Sequence, residues 1–420
     1  MAIVGLALGS LYNRRVTAAL TVAAIAVSVM LLLGVDRIGR AARESFESTI
    51  SGTDLIVGAR GGPMQLLLYS VFRMGGATNE ISWQSYQDLA AHPEVAWTIP
   101  IALGDSHHGY RVMGTSLDYF QHYRYGRGKP LELAAGKPFA DVFDVVIGAE
   151  VADKLRYQLG DKIIVSHGVS DVGVIQHADK PFTVVGILRR TGTPVDQTVH
   201  MGLQGIEAMH VDWASGAPPA PGQGITAEQA RKMSLQPKTL TAFLVGLKAK
   251  IGIFALQREV NDYTPEALMA ILPGVALQEL WALVGNAEVA LKTISAFVVA
   301  SGLIGMLTAI LTSLNERRRE MAILRSVGAR PAHIFGLLVS EAGLLALCGC
   351  LLGTALLYVL LFLGRPFIEA RLGLVLAIGL PGARELWLLI LIVTTALALG
   401  LLPAWRAYRH SLADGLTIRL

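Results

Sequence analysis

Four apolar runs, each free of Asp, Glu, Lys and Arg, constrain this chain more than any other feature: 16–35, 293–315, 342–364 and 386–405. A bilayer core about 30 Å thick is crossed by roughly 20 apolar helical residues, and every run reaches that length. Lipid offers the backbone no hydrogen-bond partners, so such runs are expected as transmembrane helices. The chain is 53% hydrophobic and 16% charged, yet the long stretch between the first and second runs is mixed in character. The expected fold class is therefore membrane α-helical, with four transmembrane helices and one large α+β extracytoplasmic domain.

Arginines set the expected orientation. Arg14 and Arg15 precede the first run, Arg317, Arg318, Arg319, Arg325 and Arg330 lie between the second and third, and Arg406, Arg409 and Arg419 follow the fourth. The positive-inside rule puts all of these segments in the cytoplasm, with both termini inside. The same clustering accounts for the net charge of +4, so no nucleic-acid partner is expected. The chain then divides into 1–37 (N-terminus and first span), 38–287 (outer domain), 288–315 (second span), 316–333 (a cytoplasmic amphipathic segment), 334–364 (third span), 365–384 (an outer loop), 385–405 (fourth span) and 406–420 (a cytoplasmic tail). About 20 uncharged residues is long for a signal-peptide apolar core and no A-x-A site directly precedes Asp36, so the first run is expected as an uncleaved anchor.

Small residues recur four apart inside the runs: Ala24 and Ser28, Ser301 and Gly305, Gly349 and Gly353, Ala396 and Gly400. That spacing puts each pair on one helix face, where backbones can approach closely. Trp281, Trp387 and Trp405 stand near run ends, where aromatic rings favour the headgroup layer. Cys348 and Cys350 lie two apart within one run, on different helix faces, and read as unbridged packing residues.

The outer segment alternates short strands with short helices. Ser82 is suited to cap a helix presenting Trp83, Tyr86 and Leu89. Strands are expected at 145–148, 162–167, 182–188 and 240–247, and a helix from Glu150 should bury Val151, Leu155 and Leu159 before a cap at Gly160. A further helix is expected at 251–260. The Gly/Pro-rich segment 215–224 is expected as a flexible loop, either dividing the domain into two lobes or forming a surface insertion. Eight of the ten histidines fall in this domain and are expected as ordinary surface residues. Asp105, His107 and His108 in one short loop are the weak candidates for metal ligands, and no metal site is expected.

Catalytic motifs are missing. Gly126 to Lys129 is followed by Pro130 where a P-loop needs Ser or Thr, and no GxSxG or SxxK nucleophile stands out. The chain is expected to be non-catalytic and to carry no cofactor.

The most informative stretch is 315–342, NERRREMAILRSVGARPAHIFGLLVSEA. Its helical pattern sets Met321, Leu324 and Val327 against the arginines, Gly328 ends the helix and Pro331 begins the next. Such a segment can dock on a cytoplasmic partner or meet lipid headgroups, although the same arginines also serve as a topology signal. Glu341, near the start of the third run, is expected to pair structurally with Arg325 or Arg330 rather than carry a proton or ion.

The string RREMAILRSVGARPAHIF at 318–335 closely resembles the signature of the FtsX-like permease superfamily, which includes the MacB, LolC/LolE and FtsX proteins. Residues 144–165 and 182–196 are similar to the core of the MacB-type periplasmic domain. The closing segment 400–420 resembles the family's end pattern at Pro403, Ala404, Ala407, Leu416 and Arg419, and departs from it at Ser411 and Leu412. The resemblance implies the permease subunit of an ABC transporter in a bacterial inner membrane, with its large domain periplasmic. It implies a coupling helix that meets the ATPase, made here by Glu316, Arg317, Arg318, Arg319, Glu320, Met321, Leu324, Arg325, Gly328, Ala329 and Arg330. Unlike MacB the chain shows no fused ATPase, so ATP and Mg are expected on a separate ATP-binding subunit. A second permease copy is expected as partner, in a homodimer first and a LolC/LolE-like heterodimer second, along with membrane lipids and an extracytoplasmic adaptor or lipoprotein. Motion driven by ATP would pass through the spans to the outer domain, which would export or extract a hydrophobic, peptide, lipid or lipoprotein cargo. The alternative is an FtsX-like signalling scaffold that activates an outer partner without moving cargo.

Overall fold

The computed structural model describes residues 2–126, 128–168, 177–213, 224–316, 323, 326–372 and 379–410. Residues 42–283 form one compact unit, and the helices of 1–41, 284–372 and 379–410 form the other.

Among the described residues the mixed unit holds one 11-stranded sheet and two small two-stranded ones. Its strands begin with β1 (Leu55–Ala59), β2 (Ile81–Ser82), β3 (Val95–His107), β4 (Tyr110–Thr115), β5 (Arg124–Tyr125), β6 (Lys129–Pro130), β7 (Leu133–Gly136) and β8 (Asp144–Ile147). They continue with β9 (Lys162–Ile163), β10 (Ser166–His167), β11 (Phe182–Leu188), β12 (Thr198–Gly202), β13 (Thr239–Leu240), β14 (Ala242–Leu247) and β15 (Leu268–Ile271). The main sheet runs β15-β1-β14-β3-β4-β12-β8-β11-β7, with β10 added on β3 and β9 on β11. Among the described residues, only β4 with β12 and β8 with β11 pair in parallel within it.

Successive residues of the central strands enter different cores. Ile56 and Leu244 join one cluster with Ile99, Ile101 and Met113, while Leu55, Val57, Phe243 and Val245 join another with Leu256 and Val260. Side chains alternate across a strand, so a sheet covered on both faces reads as a nearly continuous apolar run. This is the pattern of LIV in β1 and AFLV in β14.

The helix Trp83–Ala90 starts as its sequence dictates, with the Ser82 hydroxyl accepting the Ser85 backbone N–H. The helix Ala149–Leu155 departs from expectation. It ends at Arg156, whose φ of 58° is left-handed, so Leu159 lies beyond the helix and is exposed. The Arg156 cap N–H already bonds the Ala152 carbonyl, which closes the helix a turn before Gly160. The stretch expected as one strand at 162–167 is split into β9 and β10, which pair with different neighbours, β11 and β3. Residues 215–223 lie outside the described residues. Strands β14 and β15, which follow them, pair directly with β1 and β3, which precede them, so 215–224 does not separate two sheets.

The second unit is helical. A short helix, Ala2–Asn13, leads into span one (Arg15–Thr49), followed by span two (Pro273–Glu316), span three (Pro331–Leu372) and span four (Ala383–His410). The stretches long and apolar enough to cross a membrane lie within Arg15–Ala41, Pro273–Leu314, Ala332–Arg365 and Ala383–Trp405. Span two begins well ahead of residue 288, and Trp281 belongs to the mixed unit, where its ring lies under the Arg43 guanidinium at 5.1 Å. Trp387 and Trp405 are exposed on the bundle.

Small residues bring the spans together. Gly349 faces Ile25 and Gly353 faces the Ala26 carbonyl, joining span three to span one. Gly400 faces Ala342, and the Ser28 hydroxyl donates to the Val298 carbonyl at 3.2 Å beside Gly302. Among the described residues Gly305 meets no neighbouring helix, and the close contact is made three residues earlier, at Gly302. Ile25, Val29, Leu33, Met306, Leu338 and Leu357 fill the space between. Cys350 is buried and Cys348 exposed, both as free thiols.

Candidate functional site

Charged side chains gather at one end of the helical unit, just past the apolar stretches. Asp36 of span one accepts from Arg40 at 3.1 Å, one turn along the same helix. Its other oxygen lies 3.4 Å from Lys292 of span two and 3.3 Å from Arg384 of span four. Glu385 of span four accepts from Arg40 at 2.8 Å and lies 3.9 Å from Arg37. Lys292 also holds Glu288 at 2.5 Å. Span three joins through Tyr358: the Arg37 guanidinium lies 4.8 Å from the centre of its ring, and both side chains donate to the Gly379 carbonyl.

All four spans are thus tied by one network around two buried carboxylates, Asp36 and Glu385. Charges removed from water need partners of opposite sign, and here each carboxylate has cations from at least one other helix. The network was not singled out by sequence reasoning. The available signal was that Asp36, Lys292, Arg384 and Glu385 each bracket an apolar run at the end opposite the arginine clusters.

The proposed coupling residues fall largely elsewhere. Arg317, Arg318, Arg319, Glu320, Met321, Leu324 and Arg325 lie outside the described residues, as does the side chain of Glu316. Gly328 has φ of 100°, a left-handed backbone suited to ending a helix, and Pro331 opens span three. Ala329 is half-buried, and Arg330 is exposed while its backbone N–H donates to His333 Nδ1. Between spans two and three, Ile323 and Val327 are both exposed, and the Val327 N–H bonds the Ile323 carbonyl in a helical turn. At this same end Arg14 donates to the Ser313 carbonyl, joining spans one and two. Glu341 is buried at 4% exposure and is not left without a partner.

Asp105, His107 and His108 do not share a loop. Asp105 and His107 end the long strand β3, and His108 with Gly109 forms the two-residue turn into β4. Both turn residues have positive φ, 47° and 81°, as a tight hairpin matched to strand twist requires. The three side chains then part. His107 is buried with Nδ1 at 2.7 Å from the Ile164 carbonyl and Nε2 at 3.0 Å from the Tyr157 hydroxyl, so both ring nitrogens are engaged. Burial holds its imidazole below the ordinary histidine range. Asp105 turns instead toward His167, at 3.0 Å.

The expectation of surface histidines also needs correction, because His107, His177 and His200 are buried. His200 on β12 is fully enclosed between Tyr119 and Phe120, and burial, reinforced by the Arg73 charge, pushes its pKa down to about 3. In the unfolded chain it titrates near about 6.5. The unfolded state therefore takes up this proton as pH falls below that value while the folded state does not, and stability present above about pH 6.5 is lost toward pH 3. Acidification from about pH 7.5 to about pH 5 should cost this domain about 2 kcal/mol from His200 alone. Thermal melts followed by tryptophan fluorescence would show that slope, and His200→Gln should reduce it; an unchanged slope would assign the acid sensitivity elsewhere.

Residues 18–245 match the MacB-like periplasmic core domain, and residues 292–412 match the FtsX-like permease C-terminal family. Similar proteins include the macrolide export ATP-binding/permease protein MacB of Marinobacter nauticus, 24% identical over 97% of this chain and 60% of that protein. The protein of the same name from Shewanella oneidensis is 43% identical over 16% of this chain and 11% of its own length. The chain therefore spans less than two thirds of the length of these relatives. Among solved structures, the periplasmic region of MacB from Actinobacillus actinomycetemcomitans aligns with 55% of this chain and 94% of its own, at 11% identity and a TM-score of 0.34. The extracellular domain of the noncanonic ABC-type transporter YknZ from Gram-positive bacteria aligns with 52% and 99%, at 15% identity and a TM-score of 0.31.

Proposed function

Because the chain belongs to the family carrying a MacB-like periplasmic core domain, with an FtsX-like permease segment behind it, we propose that it is the membrane permease of an ABC transporter working by mechanotransmission. Four apolar helices and the mixed α/β unit make up its membrane and extracytoplasmic parts. In this reading both termini and the turn between spans two and three are cytoplasmic, and the Asp36 and Glu385 network lies at the outer end. Hydrolysis of ATP with Mg takes place on an ATP-binding subunit outside these residues, and a second permease copy completes the assembly. Cargo of hydrophobic, peptide, lipid or lipoprotein type is handled by the outer domain.

The observation that carries the proposal is the division of labour within the helical unit. One end exposes two apolar side chains one turn apart, Ile323 and Val327, as a docking surface needs. The other end, about 35 Å away along span two, ties spans one, two and four through ion pairs and span three through Tyr358. A push at the first end then moves the second as a unit, without a polar path through the bilayer. The MacB-like outer domain favours transport over the signalling scaffold.

The test is ATPase stimulation after co-purification with the ATP-binding subunit from native membranes. Val327→Glu should lower stimulated hydrolysis about tenfold, since a charge placed in a desolvated contact costs on the order of 1.4 kcal/mol or more. Melting of the purified permease should be unchanged. Full stimulation in this variant would remove the docking assignment, and recovery of no ATP-binding subunit would remove the transporter reading.

A further inference from the structure

Four potential metal ligands from separate segments of the mixed unit converge on one point: Asp105, His167, His177 and His210. The register of the sheet brings the first pair together. Strand β10 runs antiparallel to β3 with His167 directly opposite Asp105, and the Ser106 hydroxyl fixes the pairing by donating to the Gly168 carbonyl. A register shift between Leu103 and Ser106 leaves Asp105, Ser106 and His107 all buried in succession. That irregularity lets Asp105 and His107 serve different neighbours. His210 arrives on the last turn of the helix Leu203–His210, and His177 is anchored by its backbone N–H on the Val165 carbonyl.

The distances are those of a coordination shell. Metal–ligand bonds of about 2.0 to 2.1 Å in a tetrahedron place ligand atoms about 3.3 Å apart. Here His167 Nδ1 lies 3.0 Å from Asp105 Oδ1, His210 Nε2 lies 3.3 Å from His167 Nδ1, and His210 Nε2 lies 3.8 Å from Asp105 Oδ1. One ligand atom from each of the four residues falls within 4.8 Å of all the others. The His210 Nδ1–H donates to the Ile206 carbonyl at 3.0 Å, which leaves the Nε2 lone pair aimed at the cluster. His177 is 1% exposed, and its Nε2 is buried without a hydrogen-bond partner. Trp213 packs against the His167, His177 and His210 rings at 4.7 to 5.5 Å and walls one side. A buried imidazole nitrogen with nothing to bond is costly unless something fills the point it faces.

We propose that Asp105, His167, His177 and His210 form a binding site for one divalent transition-metal ion, with zinc as the best fit. Three imidazoles and one carboxylate suit zinc, whereas magnesium and calcium prefer all-oxygen shells. Metal binding at His167 Nδ1 displaces the proton now shared with Asp105, which moves to Nε2 of a neutral ring or leaves to solvent from an imidazolium. The bound ion clamps β3, β10, the 177 segment and the helix Leu203–His210 together. Because the His167 side chain is half exposed, the ion exchanges with the surroundings rather than being sealed in.

The test uses the full chain in detergent, stripped with a chelator and titrated with zinc chloride by calorimetry, and with Co²⁺ by visible absorption. The expected result is one equivalent per chain, the intense d–d bands of tetrahedral Co²⁺, and a rise in melting temperature on adding zinc. His167→Ala, at an exposed position that tolerates truncation, and His210→Ala should each weaken zinc binding at least ~100-fold and abolish the melting shift. His92→Ala, away from the cluster, should leave both unchanged. Absence of saturable binding at one equivalent, or wild-type affinity in both His167→Ala and His210→Ala, overturns the site. Either failure leaves ATPase stimulation, and so the transporter reading, untouched.

Discussion

Asp36→Ala is expected to destabilise the helix bundle by about 3 kcal/mol, because it leaves three cations of three different spans facing one another without their common anion. Asp36 is 2% exposed and lies within 3.4 Å of Arg40, Lys292 and Arg384. Lys292 keeps Glu288 and Arg40 keeps Glu385, so those two retain partial compensation. Arg384, which is largely exposed, can turn to water, and this limits the loss to the lower part of the range for broken buried pairs. Asp36→Asn should cost less, since the amide oxygen can still accept from Arg40. The measurement is thermal unfolding in detergent, together with ATPase stimulation by the assembled transporter. If the network transmits force, Asp36→Ala reduces stimulation even at temperatures where the variant is fully folded. Stability and stimulation both at wild-type level would show that these ion pairs are incidental surface contacts.

Gly353→Val should have an effect of similar size, about 3 kcal/mol, through a different cause. A Cβ at 353 would lie 2.5 Å from the Ala26 carbonyl oxygen and 2.9 Å from the Val29 Cβ. The first of these atoms is helix backbone and cannot rotate away, so spans one and three must separate. Separation in turn unpacks Ile25 from Gly349 and loosens the shared core around Val29 and Leu357. Gly305→Val is the matched control: among the described residues no atom of a neighbouring helix lies within 4 Å of its added Cβ, and little change is expected. Equal melting temperatures for the two variants would show that close approach at Gly353 is not what joins these helices.

The four spans were legible because their physics is local. Hydrocarbon demands roughly 20 apolar residues whatever lies beside them, and arginines mark the ends of runs without reference to any partner. Ser82, Gly328 and Pro331 likewise declare helix boundaries through backbone geometry that each residue carries by itself. Gly349, Gly353 and Gly400 could be marked as packing residues from spacing alone, although spacing chose Gly305 where the helix crossing uses Gly302. Only the tertiary structure decided which polar groups meet. Asp105 and His167 are brought face to face by strand register, and a one-residue slip would have turned either away. His177 and His210 reach them from segments that no sequence spacing relates, which is why the sequence pointed instead to the adjacent His107 and His108. Asp36 and Glu385 stand in one network for the same reason. Apolar burial depends on a residue's own pattern, whereas hydrogen bonds and ion pairs depend on the distance between residues far apart in the chain, and that distance exists only once the fold has formed.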